Sequence, residues 1–240
     1  MPPKVVRVAV LGAESTGKTT LALALVRALE PILSKQGIRA VAVPEKLREW
    51  CDEHGRTPAA HEQVQIASAQ ADRIFSLDDS WVFADTTPLM TAVYSDHLFQ
   101  DPSMYPFALE KQARFDVNLV MGLDVAWTAD GIQRDGAHVR EPVDSLIRKA
   151  LTQANLPFKV IYGQGDVRLN NALMALREAL SKRFPDNAAD AVLNTSEQQR
   201  QDSQYGLNKG TMAWRCDLCS DADCEHKLFS GLWKSEDSVN

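Results

Sequence analysis

One stretch of eight residues carries the sharpest chemical signal. Gly12-Ala13-Glu14-Ser15-Thr16-Gly17-Lys18-Thr19 has the form G-x-x-x-x-G-K-[ST]. Glycines at these places let the backbone wrap so that successive N–H groups face one phosphate. Lys18 supplies a point charge for the β- and γ-phosphates. The Thr19 hydroxyl is an oxygen ligand of the kind Mg²⁺ takes. A helix beginning here adds the positive end of its dipole. Gly12 through Thr20 is therefore expected to bind a nucleoside triphosphate, with ATP and Mg²⁺ as the cofactors.

Phosphate chemistry needs carboxylates nearby. Trp81-Val82-Phe83-Ala84-Asp85 is an apolar run that ends on an acid. Asp85 is placed to hold Mg²⁺ together with Thr19, or to hold a substrate hydroxyl, although Asp is also a common helix N-cap. Val43-Pro44-Glu45 ends a second apolar run in the same way. An acid there can face an acceptor hydroxyl as general base. Arg48, three residues on, can pair with Glu45 or reach a phosphate.

Two further groups are candidates. Asp130-Gly131-Ile132-Gln133-Arg134-Asp135-Gly136 is a charged, glycine-punctuated loop where a mobile lid would lie. From it Arg134, or Arg140 just beyond, could close on a transferred phosphoryl group. The expected catalytic set is thus Lys18, Glu45, Asp85 and Arg134. Near the C-terminus, Cys216, Cys219, Cys224 and His226 put four ligands into a short segment. Thiolates and imidazole so spaced can close a tetrahedral Zn²⁺ site, though the spacing matches no common finger in full.

These residues need elements to hold them. Short Val-rich runs at Val5–Leu11, Ile38–Val43, Trp81–Ala84, Val117–Met121 and Phe158–Tyr162 read as buried parallel strands. Helical composition fills Thr19–Leu33, Ala59–Leu77, Thr86–Arg114, Arg140–Ala154 and Val167–Arg183, and Pro44–His54 reads as a short helix start. Pro31 is expected to kink or end its helix, and Pro102 and Pro106 to interrupt theirs. The alternation predicts an α/β fold of the P-loop NTPase type, a five-stranded parallel sheet with helices on both faces. Gly12, Glu45, Asp85 and Asp124 all fall at or just past strand ends, where such sheets gather their sites.

Composition bounds the rest. The chain has 240 residues, 45% hydrophobic and 24% charged, which excludes wholesale disorder. No apolar run approaches a membrane span, and no signal peptide precedes the first strand, so a cytoplasmic protein is expected. The net charge of -6 argues against a nucleic-acid surface. From Phe184 onward stand 5 of the 26 basic and 10 of the 32 acidic residues, a net of -5. Two parts are expected: a near-neutral domain over 1–183 and an acidic tail over 184–240. The tail carries a Cys/Trp island at 214–233 that only a bound metal could help to fold.

The body resembles the ribosylnicotinamide kinase domain of NadR-type proteins. The resemblance rests on Gly12 to Thr19, on Pro44-Glu45 with Arg48-Glu49, and on Phe83-Ala84-Asp85-Thr86-Thr87 with Thr91. It continues through Phe115-Asp116-Val117 and Trp127-Thr128-Ala129-Asp130-Gly131 with Arg134, and covers roughly residues 5 to 181. It implies ATP-dependent phosphorylation of the ribose 5′-hydroxyl of nicotinamide riboside. By the same resemblance Lys18 and Thr19 bind ATP and Mg²⁺, Glu45 and Asp85 face hydroxyl and metal, and Arg134 sits in the lid. No His-x-Gly-His occurs, so a stand-alone kinase is expected rather than the multifunctional arrangement.

A second reading is an ATP-binding regulatory or interaction module of the same fold, without nucleoside kinase activity. The acid pair favours the kinase and the Cys-rich tail favours the module. A GTPase is disfavoured, because Asn208-Lys209-Gly210 lacks the Asp that reads guanine. The expected partners are a small-molecule nucleoside, a protein bound through the tail, and a second copy of the chain; nucleic acid and membrane are not expected.

Overall fold

The computed structural model describes residues 3–78, 80–127 and 137–184. Its centre is β1 (Val6–Leu11), where every second side chain meets a different layer. Val6, Val8 and Val10 enter one hydrophobic cluster, while Ala9 and Leu11 enter another. This two-residue alternation makes one strand serve two cores. β2 (Arg39–Val43), β3 (Ser80–Asp85), β4 (Val117–Met121) and β5 (Lys159–Ile161) complete the sheet in the order β2-β3-β1-β4-β5. All pairings are parallel. β3 and β4 are buried along their whole length. The five-stranded parallel sheet expected from the sequence is the sheet observed.

Helices cover both faces. α1 (Lys18–Leu33) brings Leu21, Leu25 and Leu29 to one side, where α7 (Gly165–Arg183) adds Leu169, Leu173 and Leu176. The other side takes Ala67 and Ile74 of α3 (Ala60–Phe75), Leu89 and Val93 of α4 (Pro88–Phe99), Ala108 of α5 (Tyr105–Gln112) and Ile147 of α6 (Arg140–Gln153). Each fully buried leucine stabilises the fold by roughly 1.5–3 kcal/mol relative to exposure. α2 (Lys46–His54) packs on α3 outside the sheet.

Proline explains the departures from expectation. Pro31 does not end α1 at once; the helix runs on to Leu33 and then tightens into a 3₁₀ turn at Ser34–Gln36. Pro106 interrupts nothing, because it lies in the first turn of α5, where no intrahelical N–H bond is due. The real break is at Pro102, whose carbonyl accepts from Tyr105 N at 3.1 Å.

Candidate active site

The phosphate loop leaves β1 at Gly12, and the close packing there explains the glycine. Its φ is +153°, and a Cβ would lie 2.8 Å from Met121 Cβ and 3.0 Å from Thr16 Oγ1. Gly17, at φ +81°, caps α1. Ser15 also takes a left-handed conformation, at φ 54°. Such reversals aim backbone N–H groups into one concavity. The Thr16 hydroxyl donates to Ala13 O at 2.8 Å, and Lys18 Nζ donates to the same carbonyl at 3.0 Å. Burial pushes the Lys18 ammonium below its ordinary 10.5, against the pull of the nearby Glu45 and Asp85 carboxylates.

The two predicted acids converge on this loop. Asp85 ends β3 and is buried. Its Oδ2 accepts from the Thr19 hydroxyl at 2.5 Å, and its Oδ1 is buried with no hydrogen-bond partner among the described residues. A hydroxyl and an orphaned carboxylate oxygen are hard donors that fit Mg²⁺. Glu45 precedes α2 and forms a 3.9 Å ion pair with Arg48; its side chain is 17% exposed. A cavity of about 700 Å³ opens between these parts. Glu14 through Thr20, Glu45, Arg48, Asp52 and Arg56 are among the residues that line it. Gln63 of α3 and Tyr94, Leu98 and Phe99 of α4 also line it. Cys51 lies in the wall too, and burial raises its thiol pKa, which disfavours the thiolate.

Several residues that sequence reasoning missed hold this arrangement. Gln70 of α3 is buried and bridges the two acid-bearing segments. Its Oε1 accepts from Lys46 N, next to Glu45, at 2.8 Å. Its Nε2 donates to Thr86 O, next to Asp85, at 3.4 Å. Thr86 itself stands at φ +72°, unusual for a β-branched residue. Thr87 caps α4 and donates to Gln112 Oε1 at 2.6 Å; Gln112 donates to Asn118 at 2.7 Å, and Asn118 to Pro157 O at 2.9 Å. On the other side Arg168 of α7 donates to Thr16 O and pairs with Asp124. Asp124 Oδ2 also accepts from Gly163 N at 2.6 Å. Asp124 is therefore a brace for the phosphate loop. The only sequence signal for Gln63 and Gln70 is their place on the apolar stripe of α3, among Ile66, Ala67, Ala71 and Ile74.

Other expected residues take different positions. Arg140 is buried and donates to Leu123 O at 3.4 Å, and it does not line the cavity. Glu49 is held by Arg73 through bonds of 2.6 and 2.8 Å, which fasten α2 to α3. Arg134 and its loop lie outside the described residues, as do Cys216, Cys219, Cys224 and His226. Among the described residues no cluster of His, Cys, Asp or Glu could hold a metal on its own. No described helix is long and apolar enough to cross a membrane.

Comparison with known proteins places the fold. The NadR protein in complex with NR superposes with a TM-score of 0.61 at 22% sequence identity. The match covers 74% of this chain and 52% of the NadR chain, so this chain spans about half its length. A gluconokinase from Sinorhizobium meliloti 1021 shares 13% identity over 96% of this chain and 97% of its own. Its TM-score of 0.23 is too low to carry an argument. No curated protein matches the chain. Residues 7–168, more than half of the chain, match the family model described as an AAA domain, and the chain belongs to that family.

Proposed function

We propose that the protein is an ATP-dependent small-molecule kinase that phosphorylates the ribose 5′-hydroxyl of nicotinamide riboside, giving nicotinamide mononucleotide. The observation that carries this reading is the convergence of two carboxylates on a phosphate loop beside an open cavity. Such a carboxylate in a cavity with room for a second molecule suits transfer to an acceptor hydroxyl. Glu45 lines the cavity. It acts as general base, taking the hydroxyl proton as the acceptor oxygen bonds to the γ-phosphorus and the bond to the β–γ bridging oxygen breaks. Lys18 and the loop N–H groups hold the phosphates against the start of α1. Thr19 and Asp85 would hold Mg²⁺, which supplies neutralising charge on the phosphate oxygens. The sequence adds Arg134 as the lid residue. The riboside itself is supported by the NadR-type motifs and by the fold shared with the NadR protein in complex with NR.

A coupled assay of ADP release with a panel of nucleosides tests the proposal. Nicotinamide riboside is expected to stimulate ATP consumption. Glu45→Gln and Asp85→Asn are each expected to lower turnover by about 100-fold or more. ATP hydrolysis indifferent to every nucleoside would falsify the kinase reading.

A further inference from the structure

Gln63 is a buried amide with an unusual position. It is 3% exposed, and its Oε1 has no hydrogen-bond partner among the described residues. It also lines the cavity. A buried polar atom without a partner is costly, and folded proteins seldom keep one without a use for it. The terminal torsion of Gln is soft, so either end of the amide can turn to a ligand.

The surroundings say what kind of ligand. The residues of α3 and α4 that line the cavity are Gln63, Tyr94, Leu98 and Phe99, and none carries a charge. Leu98 and Phe99 are 47% and 42% exposed, apolar surface facing open space. Charge in the lining comes from the phosphate loop, Glu45, Arg48, Asp52 and Arg56. An acceptor whose hydroxyl meets Glu45 shares this cavity with the apolar side chains of α4 and with the Gln63 amide. Two amides can pair through complementary N–H···O bonds.

On the kinase reading above, we propose that Gln63 determines acceptor specificity by pairing with the carboxamide of the acceptor's ring. The amide is a recognition group and takes no part in phosphoryl transfer.

The experiment compares two acceptors, nicotinamide riboside and the pyridinium riboside lacking the carboxamide, on wild-type enzyme and Gln63→Leu. Wild type is expected to show a KM about 10- to 100-fold lower for the carboxamide-bearing riboside. In Gln63→Leu that preference disappears, because the KM for nicotinamide riboside rises to meet the other. The KM for ATP stays within about twofold, and the melting temperature holds or rises, since an orphaned amide has been replaced by an apolar isostere. Equal losses on both acceptors, or an unchanged preference, overturn the pairing while leaving the kinase reading intact. If the wild type phosphorylates neither riboside, the nicotinamide-riboside reading fails and this inference falls with it, while a kinase acting on another nucleoside is read from the wider panel.

Discussion

Lys18 has two competing partners. Its ammonium donates to Ala13 O at 3.0 Å, and burial lowers its pKa. Phosphates raise that pKa, so nucleotide binding brings in a proton wherever the free amine is partly deprotonated. Affinity is therefore expected to weaken as pH climbs through the lowered pKa of the free protein. Titration calorimetry in buffers of different ionisation enthalpy reads the proton uptake directly. Lys18→Ala should abolish the uptake and weaken binding by about 100-fold or more. Gln70 makes a second prediction. Gln70→Leu strips Lys46 N and Thr86 O of their shared partner, at a cost of about 1–3 kcal/mol in denaturant unfolding. Its kcat should fall more than its KM for ATP rises, because Glu45 and Asp85 lose their common brace; Gln70→Glu, which keeps the acceptor for Lys46 N, should recover part of the rate. Lys18 was legible from its place in the glycine-framed loop, and Glu45 and Asp85 from being acids at strand ends. Gln63 and Gln70 were not, since an amide has no motif and acquires its meaning only from what surrounds it.

At the scale of elements, α2 depends on a clasp to α3. Hydrogen bonds from Arg73 hold the Glu49 carboxyl below its ordinary 4.5, with burial opposing and Lys46 assisting. A carboxyl depressed on folding adds stability that is fully present above its unfolded pKa. That stability is lost as pH falls through the folded one. Both side chains are about a third exposed, so solvent screens the pair. Glu49→Gln is expected to lower the melting temperature at pH 7 by about 1–2 °C. The difference should narrow as the pH falls below 4.5 and through the lowered folded pKa; a gap that does not narrow with acidification would show that Glu49 acts by packing and not by charge. The elements themselves were largely visible beforehand. Buried parallel strands read as unbroken apolar runs, and β4 was read at its observed bounds, Val117–Met121. The proline effects were harder, because position within a helix decides whether the missing N–H matters.

The whole molecule shows what sequence order conceals. Alternating strands and helices imply a parallel sheet, but no local pattern says that β1 sits between β3 and β4. That placement depends on contacts between distant segments. It puts the strand carrying the phosphate loop at the middle of the sheet, with Val6 beside Trp81 and Val8 beside Val117. Native-state hydrogen exchange should find the amides of β1 among the slowest, opening only with global unfolding. Faster exchange in β1 than in the edge strand β2 would overturn this view of the core.

The same placement has a consequence for synthesis. The phosphate loop is made before one of the two neighbours of its strand, since β4 ends only at Met121. A growing chain that stops short of Val117 has one side of β1 open and Gly12 without Met121 to pack against. Nascent chains arrested before that point should fail to bind ATP and should cling to chaperones, their long-range pairings still unmade. Competence to bind is thus expected to be completed by β4, a strand that lines no part of the cavity.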